Sequence, residues 1–309
     1  MIQVTNLVKR YGDLVALDHF NLEVSEGEIF GLLGPNGSGK TTAINCMLSL
    51  LKFSKGEINL FGKPMTPTSY DSKRRIGIVM QNVAVFNELT VIENIDYFCG
   101  LYIPDKTKRK PLVEEAIEFT GLGDFRKFLP KKLSGGLLRR LNIACGIAHK
   151  PDLIFLDEPT VAVDPQSRNH ILEGIKNLNR NGATIVYTSH YMEEVEQICT
   201  RIMIMDSGKA VATGTKEELK AMIRSGEKLT VELPDLPDNV MIEIKSLDGL
   251  IDAEYENQLL TARAVTDSYC LSLVLDTLRR NNIGFGRVFS EPPTLNDVFL
   301  EITGKELKD

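Results

Sequence analysis

Apolar and polar residues form short alternating blocks along the first two thirds of the chain. Continuous apolar runs predict buried strands at residues 28–33, 76–80, 153–156 and 183–188, and shorter strand patterns occur at 4–7, 22–24 and 57–60. Apolar positions three and four residues apart predict helices at 41–51 and 165–180 and a mainly helical region from about 82 to 150. Strands that alternate with helices are typical of an α/β fold with a partly parallel sheet.

The pattern changes near residues 225–227, where we expect a break between two domains, 1–225 and 226–309. The second segment has about twice as many acidic as basic residues, whereas the first is close to balanced. Strand patterns at 228–233 and 240–244, together with an amphipathic helix at 268–281, predict that this segment is a small α+β domain.

The overall composition limits the possible functions. The net charge of −6 argues against general nucleic-acid binding, because such surfaces are basic. The five cysteines have no paired spacing of the zinc or redox type, so we expect a reduced, cytoplasmic chain. No stretch reaches the roughly 18 apolar residues of a membrane span, and the first ten residues alternate like a strand rather than like a signal peptide. Any membrane role is expected to depend on another chain.

A glycine-rich segment, Gly34-Pro-Asn-Gly-Ser-Gly-Lys-Thr41, lies between a predicted strand and a predicted helix. Glycines allow successive backbone N–H groups to surround phosphate oxygens, and the N-terminus of the following helix adds partial positive charge. Lys40 would bring a full charge to the β- and γ-phosphates, and the Thr41 hydroxyl is suited to Mg²⁺. A chance match in a glycine-rich turn is the alternative, and the flanking strand and helix argue against it.

Two acidic residues, Asp157 and Glu158, follow the apolar run 153–156. If this run is a central parallel strand, both lie at its carboxyl end, where ligands bind in α/β sheets. Asp157 is then suited to bind Mg²⁺ through water. Glu158 is suited to polarise an attacking water as general base. The alternative is that both acids only cap the next turn.

A third segment, Ser134-Gly-Gly136, lies between the glycine-rich segment 34–41, called the phosphate loop below, and the acidic pair, and it precedes a helix-like run. Taken alone, it is an ordinary helix N-cap with a glycine turn. The hydroxyl, the glycines and the helix N-terminus would also suit an anion.

The order of these three segments resembles the ATP-binding cassette (ABC) ATPases. The resemblance covers about residues 1–225 and implies a P-loop NTPase fold with a RecA-like core, an antiparallel β subdomain and a helical subdomain at about 82–150. It implies an ATPase that uses ATP and Mg²⁺ and in which two subunits enclose two ATP molecules. The implied ATP-binding residues are Tyr11, Gly34, Pro35, Asn36, Gly37, Ser38, Gly39, Lys40, Thr41, Thr42 and Gln81.

The same resemblance implies roles for single residues. Gln81 is similar to the glutamine that senses the γ-phosphate, and His190 to the histidine that contacts it. The implied catalytic residues are Lys40, Glu158 and His190, the implied Mg²⁺ ligands are Thr41, Gln81 and Asp157, and the residues implied to complete the partner's ATP site are Ser134, Gly135, Gly136 and Asp164.

Two of these assignments have ordinary structural alternatives. Tyr11 is near the expected place of the aromatic ring that stacks on adenine, but it could equally be a surface residue at a strand end. A lone histidine after a strand is more often structural, although the run Tyr187-Thr-Ser-His190 is the context that the resemblance implies.

The chain departs from the family pattern at two places. Leu137 stands where the family usually has Gln, and Ala162-Val163 stands where a small residue and Leu usually precede the acid Asp164. The missing Gln removes a polar contact from the shared site, so slow ATP hydrolysis is expected. Ser134 and the backbone amides of its segment remain.

The C-terminal part narrows the resemblance. Residues 291–304 resemble the tail of cassettes that serve ABC-2-type exporters, including the daunorubicin and bacitracin resistance types, and residues 161–169 are similar to the cassette of linearmycin exporters. Lys127-Phe-Leu-Pro-Lys-Lys132 stands where fused drug exporters have a glutamate-rich segment, which favours a separate membrane subunit. The alternative for the tail is a plain amphipathic helix that packs on its own domain.

These resemblances predict an ATPase subunit on the inner face of the cell membrane. It is expected to form a homodimer and to drive export of an antibiotic or other amphiphilic compound through a polytopic membrane permease, with no nucleic-acid partner. A soluble ABC ATPase acting on nucleic acid or ribosomes is the main alternative, and the acidic charge and single cassette argue against it. A regulatory ATP-binding module with little turnover stays open because of Leu137.

Overall fold

The computed structural model describes residues 1–223, 225–265 and 269–304. The chain divides into two compact units, one from Met1 to Thr215 and one that begins at Lys216. The domain boundary expected after residue 225 stays a prediction. In the described ranges, no helix has both the length and the apolar character needed to cross a bilayer.

An antiparallel sheet forms one layer of the first unit, with strand order β2-β1-β4-β5. Its strands are β1 (Ile2–Tyr11), β2 (Leu14–Val24), β4 (Lys55–Leu60) and β5 (Lys63–Pro64). β1 and β2 are longer than the sequence pattern predicts. Their pairing contains three register shifts, which interrupt the regular alternation by which a half-buried strand is recognised.

A six-stranded sheet forms the second layer, with order β10-β9-β3-β8-β7-β6. Its strands are β3 (Ile29–Leu33), β6 (Ile76–Val79), β7 (Leu153–Asp157), β8 (Thr184–Ser189), β9 (Arg201–Asp206) and β10 (Lys209–Gly214). Neighbouring strands from β6 to β9 are parallel, and only β10 is antiparallel to its neighbour. β3, β7 and β8 are buried along their whole length, as expected for a parallel sheet covered on both faces.

Seven helices connect these strands in the described part of the first unit: α1 (Lys40–Met47), α2 (Tyr70–Lys73), α3 (Val91–Gly100), α4 (Lys106–Phe119), α5 (Gly135–Ile147), α6 (Pro165–Arg180) and α7 (Met192–Ile198). Short 3₁₀ turns occur at Gly123–Phe125 and Pro130–Lys132. α1 packs in the core between the two sheets. α3, α4 and α5 share a separate apolar core.

The second unit is an α+β arrangement around an antiparallel sheet of order β12-β13-β11-β14. Its elements are α8 (Lys216–Ala221), β11 (Ser225–Glu232), α9 (Asp238–Lys245), β12 (Leu250–Glu256), β13 (Leu259–Val265), α10 (Cys270–Arg280), β14 (Val288–Glu291) and α11 (Leu295–Thr303). The helix predicted at 268–281 corresponds to α10. Residue 268 lies outside the described residues, and residue 269 precedes the helix.

One prediction for this unit is wrong. Residues 240–244 form part of helix α9 rather than a strand, because Val240 and Ile244, four residues apart, both point into the core while Ile242 is 68% exposed. Pro237 before the helix and Asp238 in its first turn are start signals that the apolar run obscured. Residues 225–227, where the sequence pattern changes, are the first residues of strand β11.

His149 follows α5 and is buried, with 8% of its surface exposed. Its Nε2 donates to the Ile76 carbonyl oxygen over 3.1 Å, and its ring stacks on Tyr102 with centroids 3.7 Å apart. Its Nδ1 has no hydrogen-bond partner among the residues described. Burial lowers the pKa of His149 to about 4. The imidazole is therefore neutral in the folded protein at neutral pH.

This histidine makes the fold sensitive to acid. Below its ordinary pKa of 6.5 the unfolded chain takes up a proton that the native chain does not accept until about pH 4. Native stability should therefore fall with decreasing pH, by about 2 kcal/mol between pH 7 and pH 5 from this group. We expect His149→Phe, which keeps the ring stack, to reduce the loss of melting temperature between these pH values. The exposed His19, changed to Asn, is the control and should leave the loss unchanged; equal losses in all three proteins would contradict the prediction.

Candidate active site

The glycine-rich segment connects β3 to α1 and forms a tight loop. Gly37 and Gly39 have positive φ values of 82° and 106°, which favour glycine. A Cβ atom on Gly34 would clash with the Met205 carbonyl oxygen, so this position admits only glycine without movement of β9. The Ser38 hydroxyl is buried and has no hydrogen-bond partner among the residues described.

Lys40 is the first residue of α1 and is 5% exposed. Its Nζ donates to the carbonyl oxygens of Gly34 over 2.7 Å and of Pro35 over 3.1 Å, and it lies 3.6 Å from Glu158 Oε1. Burial lowers the pKa of this amine, and the neighbouring carboxylates of Glu158 and Asp157 oppose that effect. Carbonyl and carboxylate oxygens thus hold the Lys40 ammonium group at the loop, and phosphate oxygens could take their place as its partners.

Asp157 ends β7 and is 1% exposed. The Thr41 hydroxyl donates to Asp157 Oδ2 over 2.8 Å, and the Thr188 hydroxyl donates to Oδ1 over 2.6 Å. One hydroxyl from α1 and one from β8 therefore fix the two oxygens of this carboxylate. The Asp157 carboxylate and the Thr41 hydroxyl therefore place oxygen atoms next to each other.

Glu158 follows β7 in a left-handed backbone conformation, with φ of 48°. Its backbone N–H donates to the Thr188 hydroxyl over 2.9 Å, and its Oε2 accepts from Gln81 Nε2 over 3.2 Å. His190 Nδ1 lies 3.5 Å from Glu158 Oε1 but without hydrogen-bond geometry. The structure thus brings Gln81, Glu158 and His190 together beside Lys40.

A cavity of about 520 Å³ lies over the phosphate loop. Eight of the residues predicted to bind ATP line it together with Glu158: Tyr11, Asn36, Gly37, Gly39, Lys40, Thr41, Thr42 and, two residues after β6, Gln81. Gly34, Pro35 and Ser38 lie in the loop below and are not among the lining residues. Tyr11 is 46% exposed, and Lys9 Nζ lies 4.5 Å from its ring centroid.

The sequence analysis does not identify five other residues that line the cavity: Leu14, Val15, Ala16, Ser207 and Gly208. The turn Ser207-Gly208 is fixed to the phosphate loop, because the Gly208 N–H donates to the Ser38 carbonyl oxygen over 3.0 Å. A Ser-Gly pair is a turn signal, but it does not indicate which loop the turn contacts. Val15 and Ala16 carry no chemical signal.

The segment with Ser134 lies elsewhere and does not line this cavity. Ser134 caps α5, and its hydroxyl oxygen accepts from the Leu137 N–H over 3.3 Å. Asp164 caps the neighbouring helix α6 and accepts from the Ser167 N–H over 2.9 Å. This hydrogen bond lowers the pKa of Asp164.

Gly136 allows the starts of these two helices to meet. A Cβ atom at this position would lie 2.5 Å from Ser167 Oγ and 3.1 Å from Asp164 Oδ2. Leu137, which stands in place of the usual glutamine, is half-buried against the apolar core of α3, α4 and α5. Ser134, Gly136 and Asp164 thus form a second surface, and Gly135 lies next to it with space for a Cβ atom.

The residues present fit ATP and Mg²⁺. The unpartnered Ser38 hydroxyl, the closely packed Gly34 and the lysine held at the loop match the needs of a phosphate chain. Hydroxyl and carboxylate oxygens, as at Thr41 and Asp157, are ligands that Mg²⁺ prefers.

Comparisons with known proteins show which family the chain resembles. The ABC transporter family model matches residues 17–161. The linearmycin resistance ATP-binding protein LnrL of Bacillus subtilis (strain 168) is 36% identical over 100% of both chains. The daunorubicin resistance ATP-binding protein DrrA3 of Streptomyces coeruleorubidus is 33% identical over 99% of this chain and 96% of its own.

A solved structure has the same fold. It is the dimeric ATP-binding cassette MJ0796 in a post-hydrolysis state bound to ADP and Pi, which is 28% identical and covers 70% of this chain and 98% of its own, with a TM-score of 0.64. The predicted α/β cassette fold is confirmed. The chain belongs to the ABC transporter family, as an ATP-binding subunit with the fold of an ABC ATPase.

Proposed function

We propose that this subunit works as one of a pair that hydrolyses ATP with Mg²⁺ and drives export of an amphiphilic compound through a separate membrane subunit. The observation that supports hydrolysis most directly is the cavity in which Glu158 and Gln81 face the phosphate loop. Glu158 is placed in this cavity as a candidate general base, a role that ATP binding alone does not require.

The side chains of this site suit phosphoryl transfer to water. Lys40 and the loop amides bind the phosphates and stabilise the charge that develops on them. Bound Mg²⁺, held by Asp157, Thr41 and Gln81, would neutralise phosphate charge. Glu158, fixed by Gln81 on one oxygen, accepts a proton from the attacking water at its carboxylate. His190 lies on the other side of the same carboxylate, where it can contact the γ-phosphate.

Pairing is supported by the surface that contains Ser134, Gly136 and Asp164. It presents a helix N-terminus and a hydroxyl, features suited to an anion, yet it does not line the cavity of its own chain. We infer that this surface completes the ATP site of a second, identical subunit. The dimeric cassette MJ0796 has the same fold.

An exposed aromatic cluster on α3 and in the loop before it supports docking to a membrane subunit. Phe86 and Tyr97 are 42% and 47% exposed, and their rings lie 4.9 Å apart, with Phe98 5.8 Å from Phe86. A groove of about 710 Å³ between α3 and α4 adjoins Tyr97. Large exposed aromatic side chains at a groove are typical anchors of protein interfaces.

The names of the two relatives associate them with resistance to linearmycin and daunorubicin. Export of an antibiotic or a similar amphiphilic compound is therefore proposed for this chain. The membrane subunit is expected to select the compound.

The experiment that tests the proposed function is recovery of the tagged chain from detergent-solubilised membranes of its host. A polytopic membrane protein in stoichiometric amount would support it, and deletion strains could then be tested for resistance to candidate compounds. Ribosomal or nucleic-acid-associated proteins without a membrane partner would instead favour a soluble ABC ATPase.

Glu158→Gln should retain ATP binding and lose hydrolysis. The amide cannot accept the proton of the attacking water, and loss of a general base lowers kcat by about 100-fold or more. ATP should then hold the pair together for longer, which size-exclusion chromatography with ATP measures. Lys40→Ala, which removes the phosphate-binding charge, should abolish hydrolysis without forming this long-lived pair. Hydrolysis by Glu158→Gln at the parental rate would exclude Glu158 as the base.

Tyr11→Ala should weaken ATP binding because the adenine loses its stacking surface. Stacking of a base on an aromatic ring is worth about 1–3 kcal/mol, so the Kd for ATP should rise about 10-fold. Tyr11→Phe keeps the ring and is the control, with unchanged affinity. Fluorescent nucleotide titration measures both. An unchanged Kd in Tyr11→Ala would mean that Tyr11 is a surface residue.

Tyr97→Glu should release the chain from its membrane partner, because a charge at the aromatic cluster cannot be desolvated in an apolar interface. ATP binding should remain, since Tyr97 does not line the ATP cavity. Tyr70→Glu, at a tyrosine on α2 that is 65% exposed, is the matched control and should remain attached. Recovery from solubilised membranes measures attachment. Equal recovery of both variants would place the docking surface elsewhere.

A further inference from the structure

Glu194, on α7, is a carboxylate with 3% of its surface exposed, and the ATP site does not use it. Its Oε2 accepts hydrogen bonds from the hydroxyls of Tyr187 over 2.6 Å, Thr160 over 2.7 Å and Ser189 over 3.1 Å. Three hydroxyl groups therefore converge on one oxygen atom. Burial and the neighbouring Glu194 raise the pKa of Tyr187 well above its ordinary value, so its hydroxyl remains a donor at neutral pH.

Two of these hydroxyls belong to segments that carry residues of the ATP site. Thr160 lies two residues after Glu158, and Ser189 lies immediately before His190. The Ser189 hydroxyl oxygen also accepts from the Tyr191 N–H over 2.9 Å, which fixes the backbone on the other side of His190. One carboxylate thus holds both segments whose side chains face each other 3.5 Å apart.

A third segment reaches the same carboxylate through Arg168. Arg168 lies on α6, the helix that Asp164 caps, and its Nε is 3.2 Å from Glu194 Oε1, an ion pair without hydrogen-bond geometry. The Arg168 guanidinium also lies 4.8 Å from the centroid of the Tyr191 ring. The start of α6, which belongs to the surface proposed to meet the second subunit, is therefore connected to the chain around His190.

A purely space-filling role does not account for this arrangement. An apolar side chain of similar size would fill the position without the cost of removing a carboxylate from water. What the carboxylate adds is direction, because hydroxyl donors on different segments must all point at it.

We propose that Glu194 is the positioning residue that sets Glu158 and His190 relative to each other for ATP hydrolysis. The proposal rests on the roles given above to these two residues. Glu194 does not touch the nucleotide; it acts through the backbone next to both residues. A displacement of about 1 Å in such a pair can lower the rate about 100-fold.

Glu194→Gln tests this role. The amide has almost the same volume, but it lacks the negative charge that strengthens the three hydroxyl hydrogen bonds, and its NH₂ group would take the place of the oxygen that faces Arg168. We expect kcat to fall by about 10- to 100-fold while KM and the Kd for ATP stay unchanged. Glu193→Gln, at the exposed neighbour on the same helix, is the matched control and should retain the parental kcat. The number of ATP molecules bound per chain is measured for each variant. A lower number would reveal partial unfolding, which would otherwise be mistaken for a lower kcat.

A double-mutant cycle with His190→Ala shows whether Glu194 acts through the site. If it does, Glu194→Gln should have little further effect once His190 is absent, because both changes remove the same arrangement. If the two losses multiply as independent effects, the positioning role is wrong.

Ser189→Ala provides a second variant in case Glu194→Gln does not fold. It removes only one hydroxyl, and it should lower kcat without changing the Kd for ATP. A parental kcat in either folded variant overturns the proposal. Glu158→Gln is measured in parallel: if it hydrolyses ATP at the parental rate, the proposed function of the site fails, whereas loss of activity in Glu158→Gln alone contradicts only the role of Glu194.

Discussion

The site depends on two adjacent carboxylates that are buried at the end of one strand. Asp157 and Glu158 are 1% and 6% exposed, and burying a charge is costly unless other groups compensate for it. Lys40 Nζ lies 3.6 Å from Glu158 Oε1 and compensates part of this charge, and hydroxyl and amide groups supply hydrogen bonds to the two carboxylates. Lys40 is itself buried and depends on these carboxylates to remain charged. The three charged groups are therefore stable only together, which forces the loop, the strand end and the first turn of α1 into one arrangement.

The parallel sheet supplies this arrangement through its register. Asp157 pairs with Thr188, and Leu33 pairs with Ser189, so β3, β7 and β8 end at the same edge. Beyond this edge Glu158 takes a left-handed conformation that costs of order 1–3 kcal/mol. The Thr188 hydroxyl accepts from its backbone N–H and helps to hold that conformation. Strain and hydrogen bonding together direct the Glu158 side chain toward the phosphate loop instead of along the strand.

What the sequence predicts well is local. The phosphate loop, the apolar runs of β3, β7 and β8, and the helix at 165–180 each have their signal within a few neighbouring residues. What it does not predict comes from distant contacts. Val15 and Ala16 line the cavity only because β2 passes over the loop, and the burial of Glu194 depends on where α6, β8 and α7 meet. Glu194 lies in an acidic stretch of the kind that is usually exposed, so the sequence does not indicate that its side chain is buried.

The same reasoning explains why the sequence predicts a strand where helix α9 forms. The run Val240-Met-Ile-Glu-Ile244 is rich in β-branched residues, which favour strands. Only its packing decides the outcome: Val240 and Ile244 enter the core of the second unit, where a strand would have placed Ile242 beside them. The β-strand propensity of five residues contributes less free energy than the burial of two apolar side chains on one face of a helix. Glu194 and α9 are thus two cases of one rule, in which contacts from distant parts of the chain determine both the local structure and the charge that it can bury.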